Sequence, residues 1–183
     1  MEILKTNLIQ KTFKTFVLIF LGTVALTVSA KLKIPFYPVP MTMQTFMVLF
    51  LGLAFGYKIG VVTVSVYLFE GIIGIPVFSN SPEKGVGLVY FTGPTMGYLI
   101  GFLVTAFFAG KFSYNNNLIM NFLKLTFATS FIYFLGMLWL GGLIGWDKPI
   151  FKLGAQPFLL AELFKILLAT FAIKQIKKIR KII

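Results

Sequence analysis

The sequence FKTFVLIFLGTVALTVSA (Phe13–Ala30) is almost uniformly apolar, and Lys31 and Lys33 follow it at once. A helix needs about 20 such residues to cross the hydrocarbon core of a bilayer. A second run, LIMNFLKLTFATSFIYFLGMLWL (Leu118–Leu140), has the same character. Because backbone amides in hydrocarbon must pair internally, a chain in lipid forms helices or a closed barrel. Both runs are continuous and do not alternate between apolar and polar residues, so they predict transmembrane helices.

The composition of the whole chain points the same way. Of its 183 residues, 58% are hydrophobic, and the mean hydropathy is +0.91. A water-soluble domain is roughly 45–50% apolar even when glycine is counted, so this excess predicts a protein whose solvent is lipid. With short connections, the length allows at most about six or seven spans. We therefore predict an all-α integral membrane protein with a single transmembrane domain over residues 1–183.

Prolines, glycines and polar runs divide the chain into six predicted transmembrane helices. Pro35, Pro38 and Pro40 end the first, since proline cannot continue a helix and biases its predecessor toward extended backbone. Pro76 stops the third, and a turn-rich loop containing FSNSPEKGVG follows it. The sequence GYKIG (56–60) is predicted as a turn, and the basic segment after the sixth helix as a tail. The six predicted helices cover approximately residues 13–30, 42–55, 61–75, 94–109, 118–140 and 157–173.

Lysine and arginine predict the orientation of these helices. With six spans both termini lie on one side, and that side carries ten basic residues against five on the other. Cytoplasmic segments carry the excess of basic residues, so both termini are predicted to be cytoplasmic. The ten are Lys5, Lys11, Lys14, Lys58, Lys111, Lys174, Lys177, Lys178, Arg180 and Lys181, and the five are Lys31, Lys33, Lys84, Lys148 and Lys152. The net charge of +12 is thus a topology signal, and we expect no nucleic-acid partner.

Residue types that perform catalysis are scarce. The chain has no cysteine and no histidine, which excludes thiol nucleophiles, histidine bases and Cys or His metal sites. It has neither a phosphate-binding P-loop nor a dinucleotide-binding fingerprint. We therefore expect no enzymatic activity, no cofactor and no metal. Its acids are Glu2, Glu70, Glu83, Asp147 and Glu162.

Two charged residues lie inside the sixth predicted helix, in QPFLLAELFKILLA (Gln156–Ala169). A charge at the bilayer centre costs about 2.5–3.5 kcal/mol on insertion scales and usually has a function. Glu162 and Lys165 are three positions apart and share one helix face. They either present both charges to a polar ligand in an outward cavity, or form a structural ion pair that fixes this helix to its neighbours. Glu70, the other intramembrane acid, has no nearby base, which favours a protonated or hydrogen-bonded carboxyl.

Uncharged polar residues lie at the outer ends of the predicted helices. Thr42 and Gln44 follow the proline-rich loop and suit a neutral polar ligand, although Thr42 could equally cap the second helix. Asn80 and Tyr90 lie in the loop after the third helix, where a tyrosine is normally part of the interfacial aromatic belt. The first predicted helix carries a strip of small residues that permits close packing against internal helices or a partner subunit. The strip consists of Gly22, Ala25, Ser29 and Ala30.

Three segments carry a family resemblance: PVPMTMQTFMVLFLG (Pro38–Gly52), GIIGIPVF (Gly71–Phe78) and TGPTMGYLIGF (Thr92–Phe102). With the acid-x-x-Lys pair of Glu162 and Lys165, they resemble the BioY family, the biotin-specific substrate-binding subunits of energy-coupling-factor (ECF) transporters. The family usually has Asp where this chain has Glu162. The resemblance extends over most of the chain, from about residue 35 to residue 165.

The resemblance implies a six-helix subunit in the plasma membrane of a bacterial cell that binds biotin from outside. It also implies a transmembrane scaffold subunit and two cytoplasmic ATPases as partners, which fits the missing P-loop. A carboxylate such as Glu162 can accept from the ureido N–H groups of biotin, and Lys165 can donate to the ureido carbonyl or pair with the tail carboxylate. The residue patterns and the resemblance together predict these biotin-binding residues: Glu162, Lys165, Asn80, Gln44, Thr42 and Tyr90. The predicted scaffold contacts are Gly22, Ala25, Ser29 and Ala30.

The residues alone leave other functions open. One is a related subunit for a different vitamin, and another is a self-sufficient channel or secondary transporter. A third is a membrane enzyme that uses Glu162 or Glu70 as its acid–base group. The absence of histidine, cysteine and clustered acids argues against the enzyme.

Overall fold

The structure, a computed structural model, describes residues 2–35 and 37–182. Within this part of the chain it is a helical bundle with one short strand pair. The helices are α1 (Glu2–Lys31), α2 (Gln44–Ile72), α3 (Leu88–Phe91), α4 (Met96–Lys111), α5 (Leu118–Ile144), α6 (Ile150–Gly154) and α7 (Leu159–Ile182), with a 3-10 turn at Gln156–Phe158. The strands β1 (Lys33–Ile34) and β2 (Met41–Thr42) pair antiparallel, so the proline-rich loop between them is closed at its base.

The helix α2 consists of two helical segments that meet at Gly56. Its φ of 76° and ψ of 171° lie outside the helical region, in a conformation that glycine adopts without steric cost. The two segments fold back on each other. Their close approach is visible at Gly60, where an added Cβ would lie only 3.3 Å from Gly52 Cα. Near their other ends, the side chains of Gln44 and Tyr67 are hydrogen bonded. Since α2 supplies two long helical segments, the described chain has the six long helices that the sequence predicts.

The observed helix bounds differ from the predicted ones mainly at the ends. The first helix was expected over 13–30, yet α1 begins at Glu2, because helices extend through polar residues outside the apolar window. The predicted turn at 56–60 is reduced to Gly56, and the helix resumes directly after it. The predicted basic tail is helical, since lysine and arginine are good helix formers and α7 continues to Ile182.

The outer surface of the bundle is apolar, as a lipid environment requires. Within the described residues, four stretches are long and apolar enough to cross a membrane, and α4 is a shorter apolar helix. The four are Ile9–Lys31, Gln44–Ile72, Leu118–Ile144 and Ile150–Arg180. Phe13 and Phe16 on α1 are each 68% exposed, which would be unfavourable in water and is typical of a membrane-facing surface. The predicted class, an all-α membrane protein, is thereby confirmed.

The helix α2 lies at the centre of the bundle, where it packs against α1, α4 and α7, while α4 also packs against α5. The α4–α5 contact depends on glycines. A side chain on Gly97 would overlap the backbone at Leu135, and one on Gly101 would overlap the backbone at Ile132. Small residues that let helix backbones approach closely are the usual basis of helix association in membranes.

We predict that Gly101→Ala destabilises the bundle, because its methyl group would meet backbone atoms that cannot rotate away. Overpacking of this kind typically costs about 1–3 kcal/mol, so the thermal midpoint of the detergent-solubilised protein should fall. Gly142→Ala is the matched control: it is also a helical glycine, but a Cβ there meets nothing within 4 Å. Its midpoint should equal or exceed that of the original chain, and equal midpoints for both variants would contradict the proposed close contact.

Candidate functional site

A narrow cavity lies where the proline-rich loop and the loop after α2 (residues 73–87) meet α4, α5 and α7, with about 540 Å³ of empty space, part of it open to solvent. Its walls are mostly apolar and aromatic, and include Val39, Phe78, Tyr90, Tyr98, Leu99, Phe102, Ile132, Tyr133 and Phe158. Its polar lining residues are Thr42, Gln44, Thr45, Ser79, Thr95, Glu162 and Lys165. An apolar pocket with a few convergent polar groups is typical of a small-molecule site.

A buried ion pair lies on this cavity. The Nζ of Lys165 is 2.6 Å from Oε1 of Glu162, and their side chains are only 8% and 6% exposed. Both residues come from the beginning of α7, with Glu162 in its first turn. The unpaired N–H groups of a helix N-terminus favour a negative charge, so the start of α7 is a suitable place for this carboxylate. The structure therefore brings together the two charges that the sequence predicts to share a face.

The ammonium group of Lys165 uses all three of its donors inside the protein. Besides Glu162, it donates to the backbone oxygen of Thr42 at 2.6 Å and to Oγ1 of Thr45 at 3.1 Å. The hydroxyl of Thr45 in turn donates to Oε1 of Glu162 at 2.8 Å. An ammonium has three N–H groups. Direct donation from Lys165 to a ligand, one of the roles predicted from the sequence, would therefore require one of these bonds to break.

The second carboxylate oxygen of Glu162 is the unusual atom of the site. Oε2 is buried and makes no hydrogen bond of good geometry among the described residues, while the hydroxyl of Tyr133, a cavity-lining residue, interacts with the same carboxylate. Leaving a buried acceptor unsatisfied costs about 1–3 kcal/mol, and more when it is charged. Native structures contain few such groups, and each calls for an explanation. A ligand that carries an N–H or O–H donor would supply the missing bond.

A second polar network joins the proline-rich loop to the loop after α2. The Oγ1 of Thr42 donates to Oε1 of Gln44 at 3.2 Å, and Nε2 of Gln44 donates to the hydroxyl of Tyr67 at 2.8 Å. That hydroxyl donates to the backbone oxygen of Val77 at 3.0 Å. The alternative role of Thr42, as the cap of the second helix, is realised only in part. The cap position is Met43, although Thr42 Oγ1 accepts from the Gln44 backbone N–H at 3.3 Å.

Asn80 and Tyr90, both predicted in the loop after the third helix, lie in different places: Tyr90 lines the cavity and Asn80 does not. Tyr90 is buried and stacks on Phe78 with ring centroids 4.7 Å apart, so it forms a cavity wall and is not an interfacial belt residue. Its hydroxyl lies 3.3 Å from Oγ of Ser79. Asn80 does not line the cavity: it lies in a smaller adjoining cleft that shares Tyr90 and Thr95 with it.

The strip of small residues on α1 packs inside the bundle. Gly22, Ser29 and Ala30 are buried, and Ala25 is half-buried. A side chain on Gly22 would overlap Thr63 of α2. Of the two roles open from the sequence, this burial supports packing against internal helices, and the contact with a scaffold subunit stays a prediction.

The sequence analysis did not name several of the residues that line the cavity. Thr45 could have been identified, because it directly follows Gln44 at the start of α2. Tyr98 belongs to the quoted TGPTMGYLIGF segment, and its hydroxyl donates to the backbone oxygen of Gly154 at 2.8 Å. Tyr133 and Phe158 come from α5 and the 3-10 turn, and only the tertiary packing brings them to the cavity.

Comparisons with known proteins agree on one family. The model of the BioY family matches residues 4–182 of this chain. A protein of Pyrococcus horikoshii described as a probable biotin transporter BioY is 35% identical over 148 residues, covering 78% of this chain and 83% of that protein. The biotin transporter BioY of Thermotoga maritima is 33% identical over 158 residues, covering 86% of this chain and 92% of that protein.

A solved structure shows the same fold. The crystal structure of an S-component for biotin from an ECF-type ABC transporter matches with a TM-score of 0.77 and 24% identity. The match covers 92% of this chain and 93% of that one. Because the family model spans almost the whole sequence and two relatives exceed 30% identity over most of their length, this chain belongs to the BioY family.

Proposed function

We propose that this chain binds biotin as the substrate-specific subunit of an ECF-type transporter, with residues 1–183 acting as one transmembrane binding domain. The observation that carries the proposal is the unpartnered Oε2 of Glu162 beside a cavity with aromatic walls. Membership of the BioY family and the descriptions of its relatives as biotin transporters support biotin over other vitamins.

The chemistry of biotin matches the groups that converge on the cavity. Its ureido head has two N–H donors, and Oε2 of Glu162 is an acceptor without a partner. A hydrogen bond to a charged group is stronger than one between neutral groups, so this contact would contribute strongly to affinity. Lys165 would act by holding Glu162 in place and balancing its charge, since its own donors are already used.

The remaining predicted contacts surround this polar head site. Thr42 and Gln44 lie on the cavity wall, and Tyr90 with other aromatic residues would cover the apolar ring and chain of the vitamin. Asn80 lies in the adjoining cleft, so we assign it to the part of biotin that projects toward the cavity mouth. The protein would thus recognise the ureido group of the ligand at α7, and the proline-rich loop and the loop after α2 would enclose the rest of the molecule.

Transport driven by ATP would need partners, because the sequence contains no P-loop for ATP hydrolysis. We propose a transmembrane scaffold subunit and two cytoplasmic ATPases as those partners. The chain would reside in the plasma membrane of a bacterial cell with both termini in the cytoplasm, as the distribution of lysine and arginine predicts. The cavity would then face the outside, where a scarce vitamin has to be captured.

The assigned roles of the ion pair can be tested by titration. Glu162→Ala removes the proposed acceptor for the ureido group, and Lys165→Ala removes the group that holds this acceptor in place. Each change also breaks a buried ion pair, which typically costs about 3–5 kcal/mol of folding stability. We expect calorimetric titration of each purified variant with biotin to show binding weakened at least a hundredfold. Glu70→Gln is the control, because Glu70 does not line the cavity, and it should bind like the original chain. Unchanged titrations for either alanine variant would refute the roles assigned here.

The vitamin can be distinguished with analogues. Desthiobiotin keeps the ureido group and should compete with labelled biotin, whereas lipoate has a similar acyl tail without a ureido group and should compete poorly. We expect this order because Glu162 Oε2 needs an N–H donor that lipoate lacks. Effective competition by a vitamin without a ureido group, together with weak biotin binding, would favour a subunit for a different vitamin.

The orientation can be tested with single cysteines, since the chain has none of its own. Lys148→Cys lies in the α5–α6 connection and Asn116→Cys in the α4–α5 connection, and both positions are exposed. A membrane-impermeant maleimide added to intact cells should label position 148 and leave position 116 unlabelled. The opposite labelling pattern would reverse the proposed orientation.

The need for partners can be tested in vesicles. We expect vesicles that contain this chain alone to bind biotin without accumulating it, with or without ATP and ion gradients. Vesicles that also contain the scaffold and ATPase subunits should accumulate biotin when ATP is present. Accumulation by the chain alone under an ion gradient would support a self-sufficient secondary transporter instead.

A further inference from the structure

Two lysines near the end of α1 reach across the outer face of the protein to the loop that follows α2. The Nζ of Lys31 donates to the backbone oxygen of Phe78 at 2.7 Å and to that of Ser81 at 2.6 Å. It also lies 3.5 Å from the hydroxyl of Ser81. One ammonium group therefore joins the first and last residues of the segment 78–81, which we call the wall segment.

Lys33 holds the middle of the same segment. Its Nζ donates to the backbone oxygen of Ser79 at 2.7 Å and to Oδ1 of Asn80 at 3.2 Å. Lys33 belongs to β1 and pairs with Thr42 of β2, the residue whose backbone oxygen accepts from Lys165. The strand pair beside the ion-pair site and the wall segment are thus connected by this side chain.

The wall segment forms part of the cavity. Phe78 and Ser79 line it, and Phe78 is almost completely buried, with its ring stacked on that of Tyr90. Residues 73–87 lie between α2 and α3 and have no helix or strand of their own. The carbonyl oxygen of Phe78 also accepts from the backbone N–H and the hydroxyl of Ser81. The donors to the carbonyl oxygens of Ser79 and Ser81 come from the lysine side chains. The position of this wall therefore depends on contacts from α1 and β1.

These contacts are suited to a wall that must both close and open. Hydrogen bonds from an ammonium group to carbonyl oxygens are charge-assisted and stronger than bonds between neutral groups. They can nevertheless be broken without unfolding a helix, since both partners can be hydrated at the outer surface. A ligand enclosed behind Phe78 can leave once the wall segment moves, and this movement separates the lysines from their acceptors.

We propose that Lys31 and Lys33 are positioning residues that hold the wall segment closed over the bound ligand and so set the rate at which the ligand leaves. This inference rests on the proposed biotin binding. Neither lysine lines the cavity, so each acts through Phe78 and Ser79. Their effect is on the lifetime of the complex, whereas that of Glu162 is on recognition.

The experiment measures the dissociation of labelled biotin from the purified full-length protein after a chase with unlabelled biotin. Lys31→Met and Lys33→Met keep the aliphatic length and remove the donors. We expect each to release biotin about tenfold faster or more, the loss expected for hydrogen bonds to a charged group, with an association rate equal to or above that of the original chain. Lys31→Arg and Lys33→Arg keep the charge and the donors and should recover most of the original rate. Lys152→Met, an exposed lysine of α6, is the matched control and should leave the rate unchanged.

Hydrogen exchange without ligand provides a second measurement. The backbone N–H groups of Ser81, Lys84 and Gly85 donate to oxygens of the loop, and they should exchange faster in both methionine variants than in Lys152→Met. Unchanged exchange in both variants would overturn the inference that the lysines hold this segment. If Lys31→Met does not fold, Lys33→Met carries both measurements, since it removes donors to the same segment.

The two proposals fail in different ways. If the original chain does not bind biotin, the proposed function is wrong. If it binds biotin and both methionine variants release it at the original rate, biotin binding stands and the positioning role is wrong. A slower association with unchanged dissociation would also contradict the role, because it would indicate damage to the pocket and not a loss of closure.

Discussion

The ion pair between Glu162 and Lys165 is the interaction on which the site depends. Removing both charges from water costs several kcal/mol per ion, so the pair persists only where further hydrogen bonds satisfy it. Thr42 of β2 and Thr45 in the first turn of α2 supply those bonds. The pair therefore joins α7 to the proline-rich loop, and among the described residues it leaves one buried carboxylate oxygen without a hydrogen-bond partner.

Both the helices and the loops determine the surroundings of this carboxylate oxygen. The helices place it in an apolar pocket, where the low dielectric strengthens a hydrogen bond to a charged group. The two loops beside the cavity are held by separate contacts, one by the network of Thr42, Gln44 and Tyr67 and the other by Lys31 of α1 and Lys33 of β1. In the proposed function, recognition and enclosure of the ligand are thus assigned to different residues.

Much of the fold and part of the site could be predicted from the sequence. Membrane location, helical class and the number of helices follow from apolar run lengths, because lipid leaves the backbone few alternatives. Glu162 and Lys165 could be identified because a charge inside an apolar run is costly. The helical start of α1 and the helical continuation of α7 were missed, because the apolar window reports the membrane thickness and not the end of the helix.

What the sequence by itself determined is therefore the solvent of this protein, its helices and the presence of two charges inside the last long helix. Only the tertiary structure decided that all three donors of Lys165 are used and that Oε2 of Glu162 makes no hydrogen bond of good geometry with the residues that the structure describes. It also decided that Gly22 packs inside the bundle and that Phe78 forms a wall of the cavity. The physical reason is that run length and charge are properties of one segment. Hydrogen-bond saturation and burial depend on which distant segments meet, and no local pattern encodes that meeting.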